Sequence, residues 1–431
     1  MSTQPVVSVI KERLISLDVF RGITILFMII VNNPGNWSAI YQPFAHAEWN
    51  GCTPADLVFP FFIFIMGAAL PFSMPDKILN TAVFTRILAR SLRIFCLGLF
   101  LNVFSKIEVF GLQGIPLVFA RLAVTALVCY LLLGSFSSKV KLISAMIVLF
   151  TLMFLCYSGI EAYKGVRLPG VLQRIGILYF FIALLYTKTS QKAQVIIVAL
   201  LLLSYWGLMA FVPVPGVGPA NFEVNTNLAA YVDRLFLTGH MWVYTLTWDP
   251  EGIFSTVPAI AKGLIGLLAG QWLLRPLFKP EMTKRMAIAG IVLVLLGLLW
   301  SLVFPINKSL WTSSYVLYTG GLALICLSFL YYTIELRNYK KWAYLFLIWG
   351  VNPMIVFFFS GVIPKVLRMI EVVNPEKPDK QINIQEYFYK YSIVPLFDNA
   401  KIASAAFALL NVVFWSVVLW ILYRRKLIFK V

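Results

Sequence analysis

The chain has 431 residues, of which 60% are hydrophobic and only 13% charged; its mean hydropathy is +0.85. Soluble domains carry about 25% charged residues, so a soluble core is excluded and the sequence reads as an all-α, polytopic membrane bundle. The net charge of +18 points to loops on one side of a bilayer rather than to nucleic acid, because basic residues crowd cytoplasmic loops.

No cleavable leader is expected. Lys11, Glu12 and Arg13 precede the first apolar run, and no small-residue cleavage site follows it. A bilayer crossing needs roughly 17–25 mostly apolar residues. In chain order the runs are 15–33, 55–75, 87–104, 115–134, 142–158, 171–187, 193–212, 257–274, 287–304, 312–333, 343–361 and 400–423. Arg90, Arg93 and Arg121 interrupt the third and fourth, so the count is 12 or 10. With the amino terminus inside, 21 basic residues fall on the inner side and 10 on the other. Both termini are therefore expected in the cytoplasm. The chain is expected to form one transmembrane domain over 1–431. Its extracytoplasmic loops are 34–54, 213–256 and 362–399, and 371–382 reads as a solvated loop. Five cysteines lie mostly in or beside apolar runs without CxxC spacing, so neither disulfides nor zinc are expected.

Several residues stand out chemically. His46 is one of two histidines and lies in the first outer loop, where a group titrating near neutrality suits proton or acyl transfer. His240 falls on the same side. Glu48, Trp49 and Asp56 lie within ten residues of His46. A carboxylate among them can fix the imidazole tautomer, and Trp49 can stack on a sugar ring. Asp18 and Arg21 share a face of the first span, and charges inside membranes pair or line pathways. Asn32 and Asn33 close that span before Pro34-Gly35. Asp249 and Glu251 form a second acidic cluster leading into a span. Gln173 and Arg174 enter another, where the guanidinium can meet a phosphate or carboxylate. Gly350-Val351-Asn352-Pro353 breaks an apolar run, which is tolerated where the break lines protein or a cavity.

Leu17-Asp18-Val19-Phe20-Arg21-Gly22, His46-Ala47-Glu48-Trp49-Asn50-Gly51, Ala55-Asp56-Leu57-Val58-Phe59-Pro60, Arg167-Leu168-Pro169-Gly170-Val171-Leu172-Gln173-Arg174 and Asp249-Pro250-Glu251-Gly252 together resemble the heparan-α-glucosaminide N-acetyltransferase family of transmembrane acetyltransferases. The resemblance implies transfer of an acetyl group from cytoplasmic acetyl-CoA to the amine of a glucosamine-type sugar on the far side. It makes His46 the active-site residue, with Asp18 and Asn32 as catalytic candidates. Glu48, Trp49, Asp56, Asp249, Glu251, Arg174 and Asn352 are the candidates for the acceptor. Arg21, Arg86, Arg90, Arg93 and Arg275 are the candidates for the coenzyme, and no metal is implied. The lysosomal relatives carry a lumenal domain and a span ahead of the Asp-x-x-Arg-Gly helix. Their absence here points to a bacterial inner membrane and an acceptor other than heparan sulfate. A related acyltransferase group places its histidine eleven residues after the arginine, where this chain has Asn32. The lipid bilayer, acetyl-CoA and an amino sugar are thus the expected partners. Nucleic acid is not expected, and a homodimer is left open. The rival reading is a permease for an amino sugar such as N-acetylglucosamine, since many spans, a broken helix and buried charges also describe carriers.

Overall fold

A computed structural model describes residues 14–274 and 279–429. Its elements follow the apolar runs. They are α1 (Ile15–Asn32), α2 (Val58–Ser73), α3 (Thr81–Val103), α4 (Gly114–Leu133), α5 (Ser138–Tyr157), α6 (Val171–Lys188), α7 (Gln191–Phe211), α8 (Leu228–Leu237), α9 (Thr256–Leu273), α10 (Lys279–Trp300), α11 (Ser313–Tyr331), α12 (Tyr344–Val351), α13 (Pro353–Met369), α14 (Ile384–Phe388) and α15 (Ala400–Arg424). Among the described residues eleven helices are long and apolar enough to cross a membrane, and α12 with α13, bent by 75° at the break, makes up to twelve if the pair is one span. The chain is a polytopic helical membrane protein.

Helix starts are set by polar caps. The side chains of Asn80, Ser137, Ser190, Asn227, Thr312, Asn383 and Asn399 each accept a backbone N–H of the following turn. The arginines that interrupt α3 and α4 do not break them. Arg93 donates to the Leu132 carbonyl, and Arg121 donates to the Ile107 carbonyl at 2.8 Å. Each buried guanidinium thus serves an unsatisfied backbone acceptor beyond a helix end or near it.

Two populations of helix result. In α1, α2, α3, α9 and α11, 61–72% of the membrane-length window is buried; in α4, α5, α7, α10 and α15 only 22–28% is. Together with α6, which is 50% buried, α1, α2, α9 and α11 pack the main core around Phe20, Phe64, Ile182, Leu264 and Tyr315; α3 packs mostly a second core around Leu97 and Phe100, while the second group presents apolar side chains outward, as lipid contact requires. Close approach is set by glycine. A Cβ on Gly22 would overlap the Phe346 carbonyl, and one on Gly350 would overlap that of Asp18. Small residues let α1 and α12 touch backbone to backbone.

The connections gather on two faces. Gly51 N–H donates to the Ile306 carbonyl, Trp49 Nε1 to the Phe222 carbonyl and Leu168 N–H to the His240 carbonyl. The loops after α1, α5, α7 and α10 therefore share the histidine face. On the opposite face Lys77 Nζ donates to the Thr189 carbonyl and Ser16 N–H to Glu335 Oε1.

Two expectations need correction. Residues 371–382 belong to an antiparallel hairpin, β1 (Glu371–Asn374) with β2 (Lys377–Asn383), in which Glu371 faces Asn383 and Val372 faces Ile382. Its exposed polar side chains hide the pairing from a hydropathy reading. The preceding helix runs to Met369, so Lys365 and Arg368 lie on α13 and not in the long loop.

Candidate active site

The site begins with a local device. Thr53 and Pro54 start a 3-10 turn that ends at Leu57 and leads into α2, and the third residue of that turn is Asp56. Its Oδ2 accepts the N–H groups of Ala47 (3.1 Å) and Thr53 (3.0 Å) and the Thr53 hydroxyl (3.1 Å). Its Oδ1 lies 2.8 Å from His46 Nδ1 and 3.2 Å from Lys308 Nζ. The Asp56 side chain is 1% exposed and that of His46 46%. A buried carboxylate with this many donors is an acceptor throughout, so Nδ1 carries a hydrogen, and in the neutral ring the lone pair is on Nε2. That tautomer is assigned from the network. Gly51 permits the loop to close: its φ is +112°, which favours glycine. Trp49 stands edge-on to Trp248, with ring centres 5.2 Å apart. Burial pushes the Cys52 thiol up to about 12, and Asp56 adds to the effect.

A second network lies on the same face. Arg167 forks onto Asp249 (2.8 and 2.6 Å) and also meets Glu251. Asp249 and Glu251 are buried carboxylates. Burial would raise Glu251, but Arg167, Arg174 and Lys308 outweigh it and hold the carboxyl below its usual range. Asp233 on α8 accepts the N–H groups of Asp249 (3.0 Å) and Ile253 (2.9 Å). Burial pushes it up to about 6. Arg174 is 1% exposed and donates to the Gly252 carbonyl (3.0 Å) and Ser255 Oγ (2.5 Å). It lies over the Trp311 ring, so it holds the α9 entry loop. Gln173 donates to the Leu168 and Pro169 carbonyls.

Across the bundle, two cavities adjoin. One of about 240 Å³ is bordered by Arg86, Arg90, Arg93 and Lys141. The other, about 480 Å³, is mostly apolar and includes Arg21, Met66, Leu172 and Phe357. Ser73, Arg90 and Tyr179 line both. The larger runs from Ser73, at the end of α2, to Leu172, the second residue of α6, and so traverses much of the bundle.

The sequence candidates therefore separate. His46 and Asp56 come together, while Glu48 is exposed. Arg86, Arg90, Arg93 and Arg21 meet at the cavities. Asp18 is a correction: it pairs with Arg21 at 2.7 Å, and fourteen residues of helix, roughly 21 Å of rise, separate it from Asn32. It cannot support His46. Asn32 is exposed at the end of α1. Asn352 is also corrected. Its amide accepts the Phe429 N–H and donates to the Leu427 carbonyl, both at 2.9 Å. It holds residues 427–429, and Ile428 and Phe429 form part of the cavity wall. Lys426, with φ +56°, turns the chain back after α15 to reach it. Arg275 lies outside the described residues.

Lys308 was not anticipated. Its one available signal was isolation, as a basic residue on the side with few of them. Lys262 was also missed. It is fully buried, donates to Thr319 Oγ1 at 3.0 Å and faces the Phe64 ring.

These features define a polytopic membrane protein with a histidine–carboxylate–lysine cluster on one face and a basic-to-apolar pair of cavities reaching from the other. The sequence is similar to the human heparan-alpha-glucosaminide N-acetyltransferase, at 26% identity over 478 aligned positions that cover 98% of this chain and 61% of the relative. It is likewise similar to the mouse protein of that name, at 26% identity over 475 positions, with 97% and 61% covered. The chain thus spans 61% of the length of these curated relatives. A family model described as a domain of unknown function, DUF5009, matches residues 13–211. The family resemblance drawn from motifs therefore extends along nearly the whole chain.

Proposed function

We propose that this protein is a transmembrane acetyltransferase. It passes the acetyl group of cytoplasmic acetyl-CoA to the amine of a glucosamine-type sugar at the opposite face. The observation that carries the reading is the His46–Asp56 pair, which turns Nδ1 to the carboxylate and leaves Nε2 as the ring nitrogen that can act as base on a half-exposed side chain. A protonated sugar amine cannot attack, so a base effective near neutral pH is required. In the direct route, Nε2 takes a proton from the amine, whose nitrogen bonds to the acetyl carbon. The carbon–sulfur bond breaks, and the proton passes to the departing thiolate. In the covalent route, Nε2 itself bonds to the acetyl carbon as the carbon–sulfur bond breaks and the coenzyme leaves as its thiolate; the amine nitrogen then bonds to that carbon, the bond to Nε2 breaks, and the proton lost by the amine passes to the thiolate.

The cavities support the donor's place. Arg86, Arg90, Arg93 and Lys141 would meet its phosphates, since arginine suits phosphate geometry. The apolar cavity lined by Met66, Leu172, Tyr179 and Phe357 would take its extended arm. The membrane is read as a bacterial inner membrane, with both termini cytoplasmic.

Purified protein incubated with radiolabelled acetyl-CoA and glucosamine is expected to yield labelled N-acetylglucosamine. The bend at Asn352 also suits a carrier. Uptake of N-acetylglucosamine by proteoliposomes without acetyl-CoA, together with no labelled product, would replace the transferase by a permease.

A further inference from the structure

Lys308 lies on the loop between α10 and α11, far in sequence from the histidine motif. That loop is sewn to the histidine loop. Gly51 N–H donates to the Ile306 carbonyl at 2.7 Å, and Asn307 Nδ2 donates to Asn50 Oδ1 at 3.3 Å. Asn307 is fully buried. Its Oδ1 accepts Leu310 N–H (2.8 Å), and its own N–H donates to Thr312 Oγ1 (3.0 Å). The lysine is therefore held in place from below.

Its Nζ lies 3.0 Å from His46 Nδ1 and 3.4 Å from Nε2. The two ring nitrogens flank a single carbon. An ammonium at those distances in the ring plane would collide with that carbon and its hydrogen, so Nζ sits over the ring face. There it occupies neither in-plane direction. Nδ1–H remains directed at Asp56, and the Nε2 lone pair remains open.

We propose that Lys308 is a positioning residue that keeps His46 neutral and its Nε2 available. A buried carboxylate alone beside an imidazole favours the imidazolium, which has no free lone pair. Lys308 lies 3.2 Å from the same Asp56 oxygen, so its charge offsets the carboxylate at the ring, the two being at similar range. The other titratable groups nearby are Glu48 and Cys52 of the same loop, Glu251, whose carboxyl feels Lys308, Tyr315 of α11, whose hydroxyl donates to the Asp56 carbonyl, and Lys262 of α9, which acts on Cys52. The geometry stands alone, and its catalytic consequence rests on the acetyltransferase reading.

The test is labelling with diethyl pyrocarbonate, which acylates neutral imidazole. The chain has only two histidines, so His240 is the internal reference. Near pH 7, Lys308→Met is expected to slow modification of His46 by roughly threefold or more, as loss of one close charge allows. Lys308→Arg should keep the wild-type rate, and His240 should not change. In acetyl transfer, Lys308→Met should lower kcat by roughly tenfold with the KM for acetyl-CoA unchanged, and Lys308→Arg should recover most of it. Should Lys308→Met also disturb His240, Lys308→Gln replaces it and must give the same slowing. A charge-free variant whose His46 reacts at the wild-type rate, or faster, overturns the proposal. The labelling pattern without any transfer activity in the wild type would overturn the acetyltransferase reading and leave this inference standing.

Discussion

The two histidines sit on one face of the molecule and meet different neighbours. His46 Nδ1 faces the buried Asp56 carboxylate, with the Lys308 ammonium over the ring. His240 Nδ1 faces the Val166 backbone carbonyl at 2.8 Å, and its ring packs 4.8 Å from that of Tyr157. A backbone carbonyl fixes a ring without adding charge; a carboxylate–lysine pair fixes it and adjusts its chemistry. The same side chain is thus a candidate base in one loop and a brace in the other.

The sharpest way to break this contrast is His46→Ala. Acetyl transfer should fall by about a hundredfold or more, the scale of a lost acid–base group, with acetyl-CoA binding retained. Retention of a tenth of the wild-type rate would remove the catalytic role. Arg167→Gln comes next and acts on stability. It strands Asp249 and Glu251 in a buried place, at a cost of roughly 3–5 kcal/mol. Thermal unfolding in detergent should report this as a lowered Tm. An unchanged Tm would mean that the network is not coupled to the fold.

A smaller effect concerns Asp233. Its folded value is about 6, above the ordinary 3.8 of an aspartate. The folded state therefore holds its proton to higher pH than the unfolded chain does. Stability from this group is present at low pH and is lost as pH rises from about 4 to about 6. Replacing Asp233 by Asn should flatten that part of a Tm-against-pH curve; an identical slope would assign the slope elsewhere. The smallest change is expected from His240→Ala, which should leave kcat within about twofold and trim stability by about 1 kcal/mol, one hydrogen bond. A large fall in kcat, with the protein still folded, would make the two histidines partners after all.

The spans were legible because a bilayer demands length and apolarity together. Which of them are interior was not, since a helix facing lipid and one facing protein are both apolar. Thus α2 and α10 are alike in hydropathy but differ greatly in burial. Asp56 was within reach of a sequence reading as one of two carboxylates, with Glu48, inside ten residues of His46; which of the two meets the ring was not. Lys308 was out of reach, at 262 positions away. Asn352 marked the helix break correctly, yet its amide is used by backbone 75 and 77 positions later. Local spacing carries local geometry, while contacts between distant loops need the packed bundle.

The grip of Asn352 on residues 427–429 also bears on biogenesis. Helices are made in order from the amino end, and this stretch follows α15. Ile428 and Phe429 nevertheless form part of the wall of the larger cavity, whose other walls come from α1, α2, α3, α6, α12 and α13. That part of the wall is therefore made after all of those helices. Until then the broken helix carries an open seam, so the larger cavity can take its final shape only once synthesis has passed α15.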